Sequence, residues 1–183
     1  MSLPTEIHHK FEELKLILTH HDKEFIKMHA HGGYSILFVY PPREESVYLE
    51  RVKTEYPDAC FIDLAELFVD YIDHVGYDNF IELYKEYASE PEKLFTSQMN
   101  TDDLYQRILA AIAQAGRMQK VPILTRTGAL FGTGIENINI MDSKIVHDLP
   151  LPLVIMYPAT IGAEQKLKFL NVKLASDYRA TVI

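Results

Sequence analysis

Cysteine is almost missing from this 183-residue chain. Cys60 stands alone, so no disulfide within the chain and no cysteine-rich metal site can form. Its place in the apolar run ACFID marks it as a core thiol. Long hydrophobic runs are missing too. No stretch approaches the roughly 20 apolar residues that a bilayer-spanning helix needs. The opening MSLPTEIHHKFEE is too polar for a secretory leader, which makes the cytoplasm the expected compartment.

Positive charge is scarce: 18 Lys+Arg face 26 Asp+Glu, a net of −8. Nonspecific nucleic-acid affinity comes mainly from Lys and Arg displacing phosphate counterions, so this balance argues against direct DNA or RNA binding. The shortage is uneven. Residues 1–116 carry 10 Lys+Arg and 21 Asp+Glu, a net of −11, while residues 117–183 carry 8 and 5, a net of +3. An acidic part joined to a mildly basic one suits docking to another protein, although helices concentrated in the N-terminal part would need acidic residues for solvation alone.

What is present reads as one α/β domain over residues 1–183, because a chain of this length buries one sizeable core. Ile7, Phe11, Leu14, Ile17 and Leu18 recur at helical spacing in residues 5–20. YSILFVY (34–40) is a continuous apolar run that fits a strand buried on both faces. A helix over 45–56 follows, with Val47, Leu49, Val52 and Tyr56 available for burial. ACFIDL (59–64) reads as the next strand, followed by helical patterns over 66–73 and 78–88. Thr101 is placed to cap the clearest helix in the chain, TDDLYQRILAAIAQAGR. Further strands are expected at 121–132, breaking at Gly128, at 150–158 and at 178–183. Residues 133–148 read as weakly helical and 164–170 as helix-compatible. Strands alternating with helices imply a three-layer α/β sandwich with a mainly parallel sheet of about five strands.

Ligands of such sheets sit beyond the carboxyl ends of the strands, at the tips YPPRE, TRTGALFG and YPATIG. Neither GxxxxGK[ST] nor GxGxxG occurs. At 40–46 two prolines remove N–H donors, and Glu44 and Glu45 would repel phosphate at a helix start, so this tip is not a phosphate cradle. TRTGALFGTG (125–134), with Arg126, Thr127 and Gly128, is the closest thing to an anion loop, although Gly and Thr also serve turn geometry. The histidines at 8–9, 20–21 and 29–31 lack partners at metal-ligand spacing. There is no GxSxG elbow, and Asp102-Asp103 and Glu12-Glu13 sit in helical contexts that explain them. Catalytic, cofactor and metal residues are therefore all read as none. Tyr40 and Tyr157 each precede a proline at a strand end, where they would flank one patch or pack on the core rim.

Thr127-Gly128, Tyr157-Pro158, Leu167-Phe169-Leu170 and Asp177-Tyr178-Arg179-Ala180, together with the tip at 36–42 and DLAELFVDYI at 63–72, resemble the BrxB family of BREX (bacteriophage exclusion) phage-defence systems. One departure is Ala159, where the family commonly carries glycine after Tyr-Pro. The resemblance implies an α/β domain of P-loop-type outline without the phosphate loop. It also implies work beside a phosphatase-like protein, an ATPase and a DNA methyltransferase, with no known reaction of its own. The expectation is a non-enzymatic assembly or adaptor subunit, docking through tips that carry Arg43, Arg126, Gly128 and Tyr157. The alternative is a degenerate nucleotide- or anion-binding domain that uses the tip at 125–134.

Overall fold

In a computed structural model describing residues 3–20, 23–30, 33–96, 102–161, 166–174 and 179–183, the apolar runs become a parallel sheet. β1 (Ser35–Tyr40) is buried at every position, as an unbroken apolar run demands of a strand covered on both faces. It lies between β4 (Leu153–Ile161) and β7 (Thr181–Val182), parallel to both. β3 (Pro122–Thr125) pairs with β4, and β2 (Cys60–Asp63) pairs with β3 to form the far edge. The parallel order is β2-β3-β4-β1-β7, with all five strands running the same way.

Helices cover this sheet in the three-layer arrangement expected from the alternating pattern. α1 (Leu3–His20) and α3 (Glu45–Glu55) meet β1 through a ring cluster. Phe11 lies 4.8 Å from Phe38, and Tyr48 lies 5.3 Å from Tyr40, centroid to centroid. The short α2 (Lys23–His29) follows α1 and buries Ile26. α4 (Leu64–Val75) and α6 (Leu104–Arg117) pack on each other and over β2, and α6 also contacts β3. α5 (Tyr77–Glu86) contributes Phe80 to the core, and α7 (Asn137–Met141) and α8 (Lys144–His147) fill the stretch read as weakly helical. One apolar core runs from Ile7 to Ile183.

Several local expectations are corrected. Residues 167–169 form a strand, β5, antiparallel to β4, not part of a helix, and β6 (Lys173–Leu174) pairs with β5. The reason is in the run Lys166-Leu167-Lys168-Phe169, whose polar and apolar residues alternate with the period of two that suits a strand. Asp103 is the N-cap of α6, accepting from the Gln106 N–H at 2.8 Å, while Thr101 lies outside the described residues. On α3, Tyr48 and Val52 are the buried pair and Val47 is exposed. Leu64 opens α4 instead of closing β2, because Asp63 accepts the N–H groups of Ala65 and Glu66 and starts the helix there. β3 ends at Thr125, three residues before Gly128.

Candidate functional site

The carboxyl ends of β1, β2, β3 and β4 bring the three tips to one edge of the sheet. At the first, Pro41 leads into a short 3-10 turn over Pro42–Glu44, and α3 starts at Glu45. Tyr40 is fully buried and donates its hydroxyl to Glu45 Oε1 at 2.7 Å. Burial, with the Glu45 bond and charge added, pushes the Tyr40 phenol far above its ordinary range, so it remains a neutral donor. Where a phosphate loop would present main-chain N–H groups, this tip has two prolines and a tyrosine bonded to a carboxylate. Arg43 is exposed beside it and makes no ion pair with the described residues.

The second tip turns at Arg126, whose φ of 51° and ψ of 41° put it in the left-handed region. Few non-glycine residues adopt this conformation. Here the side chain is held by β2: Nε donates to both Asp63 oxygens, at 2.7 and 2.6 Å, and an Nη donates to Glu66 Oε1 at 3.0 Å. The Asp63 hydrogen bond leads the effects that raise the guanidinium's pKa. Asp63 thus does two jobs, capping α4 and neutralising Arg126. Thr127 is buried and donates its hydroxyl to the Met156 carbonyl at 2.9 Å. Gly128 lies under Leu170, where an added Cβ would come within 3.2 Å of Cδ2.

At the third tip Tyr157 is 1% exposed and stacks on Phe169 of β5, with centroids 4.8 Å apart. Neither tip tyrosine is a surface residue. The strand order does gather Arg126, Thr127, Gly128 and Tyr157, because β3 and β4 are neighbours. Arg43 is the one residue of the expected set that offers an uncommitted charge.

Asp63 and Glu66 take part in this edge without having been singled out as site residues in the sequence, and Glu45 and Phe169, named there for other reasons, join them. The first had a usable signal, since Asp-Leu-Ala-Glu directly after an apolar strand is a helix-start pattern. Beside the second and third tips, the loop over 130–137 and the β5–β6 hairpin enclose a cavity of about 290 Å³, with Phe131, Tyr157, Phe169 and Leu174 in its walls.

Among the described residues no group of three His, Cys, Asp or Glu side chains is placed to hold a metal ion. Of the expected histidines, His8, His9 and His20 are exposed on α1, while His21 and His31 lie outside the described residues. Cys60 is half-buried on the edge strand β2. No helix among the described residues is long and apolar enough to cross a membrane. No protein-family model, curated protein or solved structure matches the chain.

Proposed function

We propose that this protein is a non-catalytic assembly subunit of a phage-defence complex of the BREX type. The observation that carries the reading is the state of the sheet's carboxyl edge, where an α/β protein keeps its chemistry. There the Arg126 guanidinium is bound by Asp63 and Glu66, the Thr127 hydroxyl by a main-chain carbonyl, and the Tyr40 hydroxyl by Glu45. Groups spent on holding the tips rigid serve a docking surface better than a reacting centre. The sequence resemblance supplies the kind of complex, and the acidic and basic parts of the chain supply charge complementarity for partners.

Its partners in this reading are a phosphatase-like protein, an ATPase and a DNA methyltransferase, and its place of work is the cytoplasm. The test is affinity capture of the tagged protein from its host at moderate salt, with mass spectrometry of what is retained. Recovery of one of those three proteins is the expected outcome. Recovery of the bait alone would overturn the assembly role.

A further inference from the structure

Four consecutive residues of β2, Cys60 to Asp63, line a groove of about 380 Å³. Successive side chains of a strand point to opposite faces, so a groove touched by all four lies against the strand's main-chain edge. Its walls include Leu67 and Asp70 of α4 and Met118 just beyond α6. β2 is the outer strand of the sheet, and among the described residues it pairs only with β3. The Cys60 N–H is given to the Val121 carbonyl, so the alternation along the strand turns the main-chain groups of Phe61 away from β3 and toward the groove. An open edge is a template for another strand, and proteins usually blunt it with lysine, proline or a bulge. Cys-Phe-Ile-Asp pairs with β3 in unbroken register and has none of the three.

The groove is acidic: Asp63, Glu66 and Asp70 line it, and no Lys, Arg or His does. Arg126 answers the first two, while Asp70 is exposed and makes no ion pair with the described residues. A surface of the opposite character lies on the same chain. Residues 166–174, which hold β5 and β6, contain three lysines and no Asp or Glu. Lys173 is held by Glu136, whereas the half-buried Lys168 makes no ion pair with the described residues. Among the described residues β6 pairs only with β5, and Val172 and Leu174 stand 65% and 61% exposed on either side of Lys173.

We propose that the β6 edge of one copy of this chain pairs with the β2 edge of the next, strand to strand. The exposed Val172 and Leu174 meet the apolar part of the groove, and the lysines of the hairpin face its acids. This goes beyond the assembly reading and does not depend on it. Charge decides against a twofold arrangement. β2 on β2 would set Asp63, Glu66 and Asp70 against the same three residues, and β6 on β6 would oppose two lysine-bearing hairpins. Two different surfaces join head to tail, so copies add into an open chain or a closed ring. β2 has four residues and β6 two, so the contact is small and the dissociation constant is expected at about 100 µM.

Sedimentation velocity of the whole chain from about 10 µM to about 1 mM should show a mean mass that rises past a dimer. Raising sodium chloride to about 0.5 M should lower it. Asp70→Lys and Leu174→Asp alter exposed positions, and each should weaken self-association at least about tenfold with circular dichroism unchanged. Met118→Lys repeats the change to the groove at a second exposed position. Mixing decides the geometry. The Asp70→Lys chain keeps its β6 edge and the Leu174→Asp chain keeps its groove, so an equimolar mixture should form a dimer that grows no further. Amide exchange at Phe61 should slow in the Leu174→Asp chain of that dimer and not in the other. A chain that stays monomeric to about 1 mM overturns the proposal and leaves the assembly reading standing. Self-association that neither variant weakens, or that the mixture fails to restore, overturns the pairing of these two edges. A monomeric chain whose Phe61 exchange slows only with an added lysine-rich strand peptide gives the groove to another protein and overturns the second copy.

Discussion

Asp63 and Arg126 show how one residue pair joins two elements. Asp63→Ala removes both the cap of α4 and the anchor of Arg126. A cap is worth about 1 kcal/mol and a part-exposed ion pair up to about 1, so a loss of roughly 1–2 kcal/mol is expected in urea denaturation. Arg126→Ala leaves the cap in place and should cost less than about 1 kcal/mol. Equal losses in the two variants would show that the cap contributes nothing. Buried tyrosines give the second prediction. Burial, reinforced by Glu6 and Glu44, pushes the Tyr48 phenol up to about 12, and burial with Glu55 and Glu12 does the same for Tyr56. A folded pKa above the unfolded value near 10 means that the native state holds its proton more tightly. This stability is complete below about pH 10 and is lost as pH rises toward 12. Absorbance of tyrosinate at 295 nm, read beside circular dichroism, follows this titration. Tyr40, Tyr48 and Tyr56 should ionise only together with the loss of circular dichroism. A single reversible class of tyrosines with the helices intact would contradict this.

Among the elements, β7 has two residues, and the segment leading into it packs on one glycine. A Cβ at Gly33 would fall 1.8 Å from the Arg179 carbonyl oxygen, a main-chain atom that cannot move alone. Gly33→Ala should therefore displace the segment that carries β7, which is held to β1 by the Ile183 N–H to Leu37 bond at 3.0 Å and the Val39 N–H to Ile183 bond at 2.9 Å. Hydrogen exchange at Leu37, Val39 and Ile183 should speed up by at least about tenfold while the β1–β4 pairs stay protected. Unchanged exchange at those three amides would show that the backbone adapts. Elements were legible in the sequence wherever periodicity was strong. The runs read at 34–40, 59–64 and 150–158 contain β1, β2 and the first part of β4, the helix read at 5–20 lies in α1, and α6 lies in the pattern read from Thr101 to Arg117. The helix-compatible reading of residues 164–170 fails over 167–169, where the alternation of Lys and apolar residues was too short to stand out until the end of β4 paired with it.

For the whole molecule, the two prolines and the Tyr40–Glu45 bond at the first tip argue against a nucleotide phosphate held there. Melting with millimolar ATP and magnesium should leave the transition where it was. A ligand present at about 100 times its dissociation constant would add about 2.7 kcal/mol, roughly 5–10 °C for a chain of this size. A rise of that size would restore the nucleotide-binding alternative for residues 125–134. The net charge of −8 bears on the same scale: it predicts little retention on DNA at physiological salt, measurable as the absence of a salt-dependent shift.

Residue types and their periods alone determined the α/β class, the parallel sheet and the exclusion of a phosphate loop at residues 40–46. Each follows from local rules: apolar runs bury strands, and prolines remove donors. Tertiary structure decided the fate of the side chains at the tips. Arg126 and Tyr157 read equally well as exposed recognition residues until β2 brought Asp63 to the first and β5 laid Phe169 over the second. Those partners lie 63 and 12 residues away in the chain, and no local period encodes a contact made only when strands are set side by side.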